Sequence, residues 1–341
     1  MTSYVGLDVS LMETSVCVLG GDGQVRFECK VRTRPEELIA CLCRHASDAE
    51  RIGLETGPTA GVLMRALLAA ELPVLCLETR HAHRALSART NKTDRNDARG
   101  LAELMRVGWY REAWVRGASA QAVRSLLLGR RLLLQTRRTL ENTLRGAVKR
   151  FGLITTKTAG RGFPRRVAAL VNEDPAFAAF ATPLLTVLGS IVEQIRAYDR
   201  QLRAAARGHE AASRLMTIPG VGLLTALAFC STVDDPRRFK RSEDVGPYLG
   251  LTPRVHQSGE VERTGRITKA GDGLTRSYLF EAATVLLTRI KRPTPLRLWG
   301  LQLKARTGLR KAQVAVARKL AVMMHAIWAG GTEFEWRPAA G

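Results

Sequence analysis

Four carboxylates, Asp8, Glu55, Asp94 and Asp97, have the types and settings that could do metal chemistry in this chain. Asp8 lies in the short apolar run Tyr4-Val5-Gly6-Leu7-Asp8-Val9-Ser10, and Glu55 ends a second run, Arg51-Ile52-Gly53-Leu54-Glu55; both runs read as strands. Asp94 and Asp97 stand three apart at the start of a predicted helix, in Lys92-Thr93-Asp94-Arg95-Asn96-Asp97-Ala98, and so share one side of it. Drawn together, four acids would repel one another unless a divalent cation lay among them. Hard oxygen ligands suit Mg²⁺, and two such ions can clamp the attacking and leaving oxygens of a phosphodiester. Taken singly, each acid reads as a solvated surface group, and Asp94 after Thr93 as a helix cap; only the ordered set points to a metal centre.

The second candidate is Ser258, in His256-Gln257-Ser258-Gly259. A serine before glycine is commonly a turn residue, but Arg254, Arg263, Arg266, Lys269 and Arg276 flank this one. Cations at that density would hold a scissile phosphate and stabilise charge as a hydroxyl attacks it, which makes Ser258 a candidate nucleophile. His256 is the one neighbouring candidate for a general base, with a plain loop role as its alternative.

These residues need elements to position them. The first ~115 residues alternate β-rich runs and helical patterns: strands over Val5–Val9, Thr14–Leu19, Val25–Val31, Ile52–Glu55 and Pro73–Leu77, with helices from about Pro35, from about Thr59 and over Asp94–Met105. That order resembles the ribonuclease H-like order, whose sheet would set Asp8 and Glu55 side by side. From Ala118 the pattern changes to long helices. In Gln121–Phe151, Leu126, Leu133, Leu140 and Ala147 recur every seven residues, and Arg124, Arg131, Arg138 and Arg145 recur with the same period; a seven-residue step drifts by only about 20°. An apolar seam and a basic stripe are therefore expected on one rod. A second helix over about Ala176 to Arg207 would pair with it as an antiparallel hairpin or coiled coil, closing a core or a dimer contact. The segment Ile154–Arg166 reads as a basic loop. Ile218-Pro219-Gly220-Val221-Gly222, ahead of a helical run, resembles a helix-hairpin-helix turn in which Gly220 and Gly222 let the chain bend and expose helix-terminal amides to a phosphate.

The formal charge of +22 is uneven. Residues 1–120 carry 16 Lys+Arg against 15 Asp+Glu, whereas residues 121–166 carry 12 Lys+Arg with Glu141 as their only acid. A near-neutral catalytic part joined to a basic remainder fits a protein that grips nucleic acid with one part and cuts it with another. No apolar run approaches the ~20 residues a spanning helix needs, and no signal peptide is indicated, so no membrane partner is expected. The six cysteines form no metal or disulfide pattern, which suits a reducing, cytoplasmic setting. His81 and His83 read as part of a solvated loop.

The tetrad, in its order, resembles that of a ribonuclease H-like domain of the RuvC type. The chain as a whole resembles the DEDD transposases of insertion-sequence family 110. The resemblance is carried by GLDVS around Asp8, GLETGPT around Glu55, NKTDRNDARGLAEL around Asp94 and Asp97, IPGVG at Ile218–Gly222, GLTP…SG…GRITKAG through Ser258, and AVARKLA at Ala315–Ala321. It implies an α/β RuvC-like domain over residues 1–117, a helical coiled-coil link over 118–210, a mainly helical transposase domain over 211–331 and a tail over 332–341. It also implies that Asp8, Glu55, Asp94 and Asp97 hold Mg²⁺ and that Ser258 joins covalently to a DNA 5′ phosphate, with the carboxylates of a partner subunit completing the site. Target and donor DNA, a structured guide RNA, and a homo-oligomer, dimer or tetramer, are the partners the resemblance implies. Two rival readings stand beside it: a junction-resolving or ribonuclease H-type hydrolase in which Ser258 is structural, and a non-catalytic nucleic-acid-binding protein.

Overall fold

The computed structural model describes residues 2–87, 93–153, 162–258 and 261–336, and the chain divides into two compact units, residues 1–118 and 119–341. In the first unit, β1 (Ser3–Val9), β2 (Glu13–Gly20), β3 (Val25–Arg32), β4 (Ala49–Glu55) and β5 (Val74–Leu77) form one sheet in the order β3-β2-β1-β4-β5. The first three strands are an antiparallel meander, and β4 and β5 run parallel to β1. Helices α1 (Pro35–His45) and α2 (Ala60–Ala69) make the crossovers, and α3 (Thr79–Leu86) and α4 (Asp94–Val107) follow β5.

Alternation along the strands divides the sheet between two cores. Val5, Leu7, Ile52 and Leu54 pack with Leu38, Leu42, Leu63 and Leu67 of α1 and α2. The other face meets α4, where Cys17 and Leu19 pack with Ala98 and Ala102. The element order matches the one expected from the sequence, with α3 as an addition. His81 and His83 lie on α3 rather than in a loop, and the His81 ring meets Trp109 edge-on at 5.4 Å.

The second unit opens with a helical hairpin of α5 (Ala118–Arg150) and α7 (Pro175–Arg207), with α6 (Phe163–Leu170) between them. The arms are antiparallel. Arg130 binds Asp199 at 2.6 Å, and a Cβ on Gly129 would lie 2.5 Å from the Tyr198 hydroxyl, while Leu144, Ala147 and Val148 pack with Phe163, Phe177 and Leu188. No single heptad seam runs along α5. Its deepest positions are Leu127, Leu144, Ala147 and Val148, whereas Leu126, Leu133 and Leu140 are half-buried, because the two ends of the rod serve different cores.

Two expectations change here. Arg165 and Arg166 belong to α6 rather than a loop; Lys157 and Arg161 lie outside the described residues. The alanine- and leucine-rich α7 does hold an 18-residue window of mean hydropathy 1.7, enough by length and composition to cross a membrane, where no such run was expected. Its pairing with α5 makes it a hairpin arm in this structure.

The rest of the unit is built from α8 (Glu210–Leu215), α9 (Leu223–Val233), α10 (Val245–Tyr248), α11 (Gly273–Thr288), α12 (Pro295–Thr307), α13 (Leu309–Gly330) and a two-stranded ribbon, β6 (Pro253–Ser258) and β7 (Val261–Ile267). Helix α9 is buried from Thr225 to Val233 and, with α11 and α13, forms a core that also takes Leu127 of α5 and Leu202 and Ala206 of α7. One end of the hairpin and the C-terminal helices therefore share a core.

Candidate functional site

The carboxylates are set by strand register. On β1 and β4, Gly6 pairs with Gly53 and Leu7 with Leu54, so Asp8 and Glu55 continue the two strands side by side. Asp8 also pairs with Ser15 of β2, and Ser15 with Lys30 of β3. One lateral row of the sheet thus reads Glu55, Asp8, Ser15, Lys30. The row one pleat before it reads Gly53, Gly6, Cys17, Glu28.

Helix α4 lies on that second row. A Cβ on Gly6 would collide with the Ala98 carbonyl and the Ala102 amide, and one on Gly53 would fall 2.7 Å from the Met105 sulfur. Two side-chain-free positions in register let the helix backbone settle onto the sheet. On α4, Asp97, Leu101 and Met105 share one stripe at four-residue spacing; Leu101 and Met105 are buried, and Asp97, one turn earlier, is half-buried. Thr93, whose hydroxyl accepts the Asn96 amide at 3.2 Å, caps the helix, so the carboxylate of Asp94 is not the cap.

An ion cluster that sequence reasoning missed anchors the start of α4. Glu28 of β3 accepts from Arg99 and, at 2.6 Å, from Arg95. The Arg99 guanidinium, with Arg95, holds the Glu28 carboxyl down at about 2. Beside it, Lys30 Nζ donates to Asp94 Oδ2 at 2.8 Å; this bond lowers the pKa of Asp94 and raises that of Lys30, which the charges of Glu13 and Asp8 raise further. Burial and the Glu28 charge push the Cys17 thiol, under the helix, up to about 12. The available signal was the alternation Glu28-Cys29-Lys30, which puts both charges on one face of a predicted strand, the face that carries Asp8.

The donor set, carboxylates at two neighbouring strand ends and at the start of one helix, has the chemistry that Mg²⁺ takes, and a lysine ammonium already stands against one of its members. Among the described residues, no group of three or more His, Cys, Asp or Glu side chains is arranged as the side chains lie to hold an ion. Register brings Asp8 and Glu55 together, and α4 carries Asp94 and Asp97 onto the same face.

Ser258 ends β6, opposite Val261, and His256 pairs with Arg263 in the ribbon register. The serine therefore stands at a strand end near the tip of a ribbon, not in an irregular loop. Arg254, Arg263, Arg266 and Lys269 are exposed along and below the ribbon. Arg276 is not among them. Its guanidinium turns inward to the carbonyls of Leu249 at 2.9 Å and Gly271 at 2.5 Å, and burial lowers its pKa. It latches the base of the ribbon, where Gly250 (φ +67°) and Gly271 let the two chain segments pass too closely for any Cβ.

The expected basic stripe is divided. Arg124 pairs with Asp272, a largely buried carboxylate that also caps α11 by accepting the Thr275 amide at 2.8 Å. Burial alone would raise the pKa of Asp272, but the Thr275 amide and Arg124 outweigh it and lower it. Arg145 donates to Asn142 at 2.6 Å and lies over the Phe163 ring at 4.7 Å. Arg131 is half-buried and Arg138 exposed. Arg124 is thus a packing residue, and Arg138 is the stripe member most open to a phosphate. Gly220 (φ +88°) presses on the Ala282 carbonyl of α11, and Gly222 caps α9 with its backbone exposed, in the tight turn the sequence suggested.

A family model of transposases of the IS116/IS110/IS902 family matches residues 212–298, and a transposase model of the IS110 DEDD class matches residues 5–152. The chain is 35% identical over 246 residues to the transposase for insertion sequence element IS1111A of Coxiella burnetii, covering 71% of this chain and 67% of the relative. It is 30% identical over 249 residues to a probable family 20 transposase of Pseudomonas aeruginosa, covering 70% and 72%. A pilin gene-inverting protein of Moraxella lacunata is 28% identical over 127 residues, 37% of this chain and 39% of that one. Among solved structures, RuvC of T. thermophilus in complex with a Holliday junction substrate is similar to 33% of this chain over its whole length, at 14% identity and a TM-score of 0.26, too loosely to carry an argument.

Proposed function

The chain belongs to the IS116/IS110/IS902 family of transposases, and from that premise we propose that it cuts and exchanges DNA strands to move an insertion element, using two sites on separate units. Its family makes it a DNA-recombining enzyme; the serine, the ion and the guide are the finer part of the reading. In the first unit, Asp8, Glu55, Asp94 and Asp97 would hold Mg²⁺. When bound, the ion supplies Lewis-acid stabilisation of charge on phosphoryl and leaving oxygens.

In the second unit, the Ser258 hydroxyl attacks a DNA phosphorus. The P–O3′ bond breaks, the 3′ oxygen leaves with a proton, and a phosphoserine ester to the 5′ phosphate remains. A 3′ hydroxyl of the exchange partner then attacks that ester, rejoining DNA and returning the proton to Ser258. Two transesterifications conserve the phosphodiester, so rejoining needs no external energy source. Arg254, Arg263, Arg266 and Lys269 neutralise the phosphate during attack. Arg276 acts at a distance, by fixing the ribbon base. The carboxylates of a partner subunit complete each serine site, so a dimer or tetramer is the working unit. A structured RNA pairs with target and donor DNA, and Arg138, with the open amides at Gly222, offers backbone contacts. The setting is the bacterial cytoplasm, where the DNA is.

The observation that best supports this reading is the lateral row Glu55, Asp8, Ser15, Lys30, with Asp94 at the start of α4 bonded to Lys30, in a chain that also places Ser258 at the end of a ribbon strand among exposed cations. Its test is to incubate the protein with labelled target and donor DNA and its guide, denature it, and look for label migrating with protein. An adduct is expected with wild type and not with Ser258→Ala. Cleavage by Ser258→Ala, or free ends accumulating with wild type and no adduct, would leave a water-activating hydrolase instead.

A further inference from the structure

Two acids where α4 meets the sheet, Glu28 of β3 and Asp94 of α4, have opposite fates. Glu28 is held by two guanidiniums and is only 12% exposed, so it is permanently neutralised and closed to an incoming ion. Asp94 is held by one flexible ammonium, Lys30, in a pair whose side chains are 51% and 61% exposed. Lys30 also lies in the row that contains Asp8, two positions across the sheet, and the Asp8 charge acts on it. The sheet therefore directs a cation of the protein's own into the carboxylate site, and attaches it so that it can leave without any change in the fold.

Resting on the metal-site reading, we propose that Lys30 is the resident counter-cation of this site: it occupies Asp94 when no ion is bound, must release it for a divalent ion to be taken, and so sets the affinity for that ion. Electrostatics requires a consequence of this kind. A positive charge bonded to one prospective ligand both occupies a lone pair and repels a second cation, and the two occupants compete for one carboxylate. The long lysine stem lets the ammonium swing towards solvent or a substrate phosphate once displaced, a motion the arginine fork on Glu28, anchored at two oxygens, does not share. Lys30 is thus a positioning residue that acts through Asp94.

The test uses the full chain and Mn²⁺ as the probe, with affinity read by calorimetry and by the electron paramagnetic signal of the free ion. Lys30→Gln should bind Mn²⁺ about threefold to fivefold tighter than wild type, the scale of one exposed ion pair, while Lys30→Arg stays within about twofold of wild type because the competing charge is kept. Melting in the absence of metal should be alike in all three. Unchanged or weaker binding by Lys30→Gln, with binding by wild type that depends on Asp8, would overturn the inference alone. If wild type took no Mn²⁺, or Asp8→Ala and Glu55→Ala bound it equally well, the metal-site reading would fail and this inference with it.

Discussion

Gly6 of β1 and Gly53 of β4 are partners in register, and α4 rests on both. That pair decides how closely the helix bearing Asp94 and Asp97 approaches the strands bearing Asp8 and Glu55. At Gly6 the obstacle to a side chain is helix backbone, which moves aside only if the whole helix shifts; at Gly53 it is the Met105 side chain, which can move alone. Gly6→Val should destabilise the protein by about 3 kcal/mol or more and displace α4, whereas Gly53→Ala should cost about 1 kcal/mol. Urea unfolding of the two variants checks the order, and equal costs would mean the helix does not depend on the glycine row.

Asp8→Ala, Glu55→Ala and Asp97→Ala should each abolish strand cleavage while leaving the fold intact, because each removes an oxygen from a site that needs all of its charge to hold Mg²⁺. In the metal-free protein, losing one of several clustered acids relieves repulsion. The metal-free variants should therefore melt no lower than wild type. A much lower melting temperature, or recombination at the wild-type rate, contradicts the assignment.

Arg124 and Arg138 belong to one sequence stripe but should behave differently. Arg124→Gln leaves Asp272, 7% exposed, without its partner and should destabilise the second unit by about 3 kcal/mol. Arg138→Gln should leave stability unchanged and lower the slope of log K against log salt by about 0.9 for duplex DNA if it contacts one phosphate. Denaturation and salt titration on the same two proteins separate the roles; an unchanged slope for Arg138→Gln removes it from the interface.

Acid should weaken the clamp that holds α4. The Glu28 carboxyl lies at about 2 in the folded protein against an ordinary 4.5. A group lowered by folding contributes stability that is present in full above about 4.5 and lost as pH falls towards about 2. Unfolding midpoints measured across that window should fall for wild type, and the fall should be shallower for Glu28→Gln, which starts less stable at neutral pH. Parallel curves would show that Arg95 and Arg99 contribute nothing there.

Local pattern along the chain was enough to place the acids on their elements. Period-two alternation put Asp8 and Glu55 near the ends of strands, the run from Thr93 put Asp94 and Asp97 on one side of a helix, and the family motifs joined these acids to Ser258. Tertiary structure alone decided which charges pair, because pairing depends on strand register and on helices distant in the chain. It took Arg124 to Asp272 and Arg276 to the carbonyls at the ribbon base, although both arginines read as phosphate contacts in sequence. It also brought Lys30 to Asp94, 64 residues away, and closed Glu28 between two arginines. A charged side chain in sequence carries no mark of its partner. Burial and register assign one, since a charge that loses water must be matched nearby, and the matching group is whatever the fold has placed there.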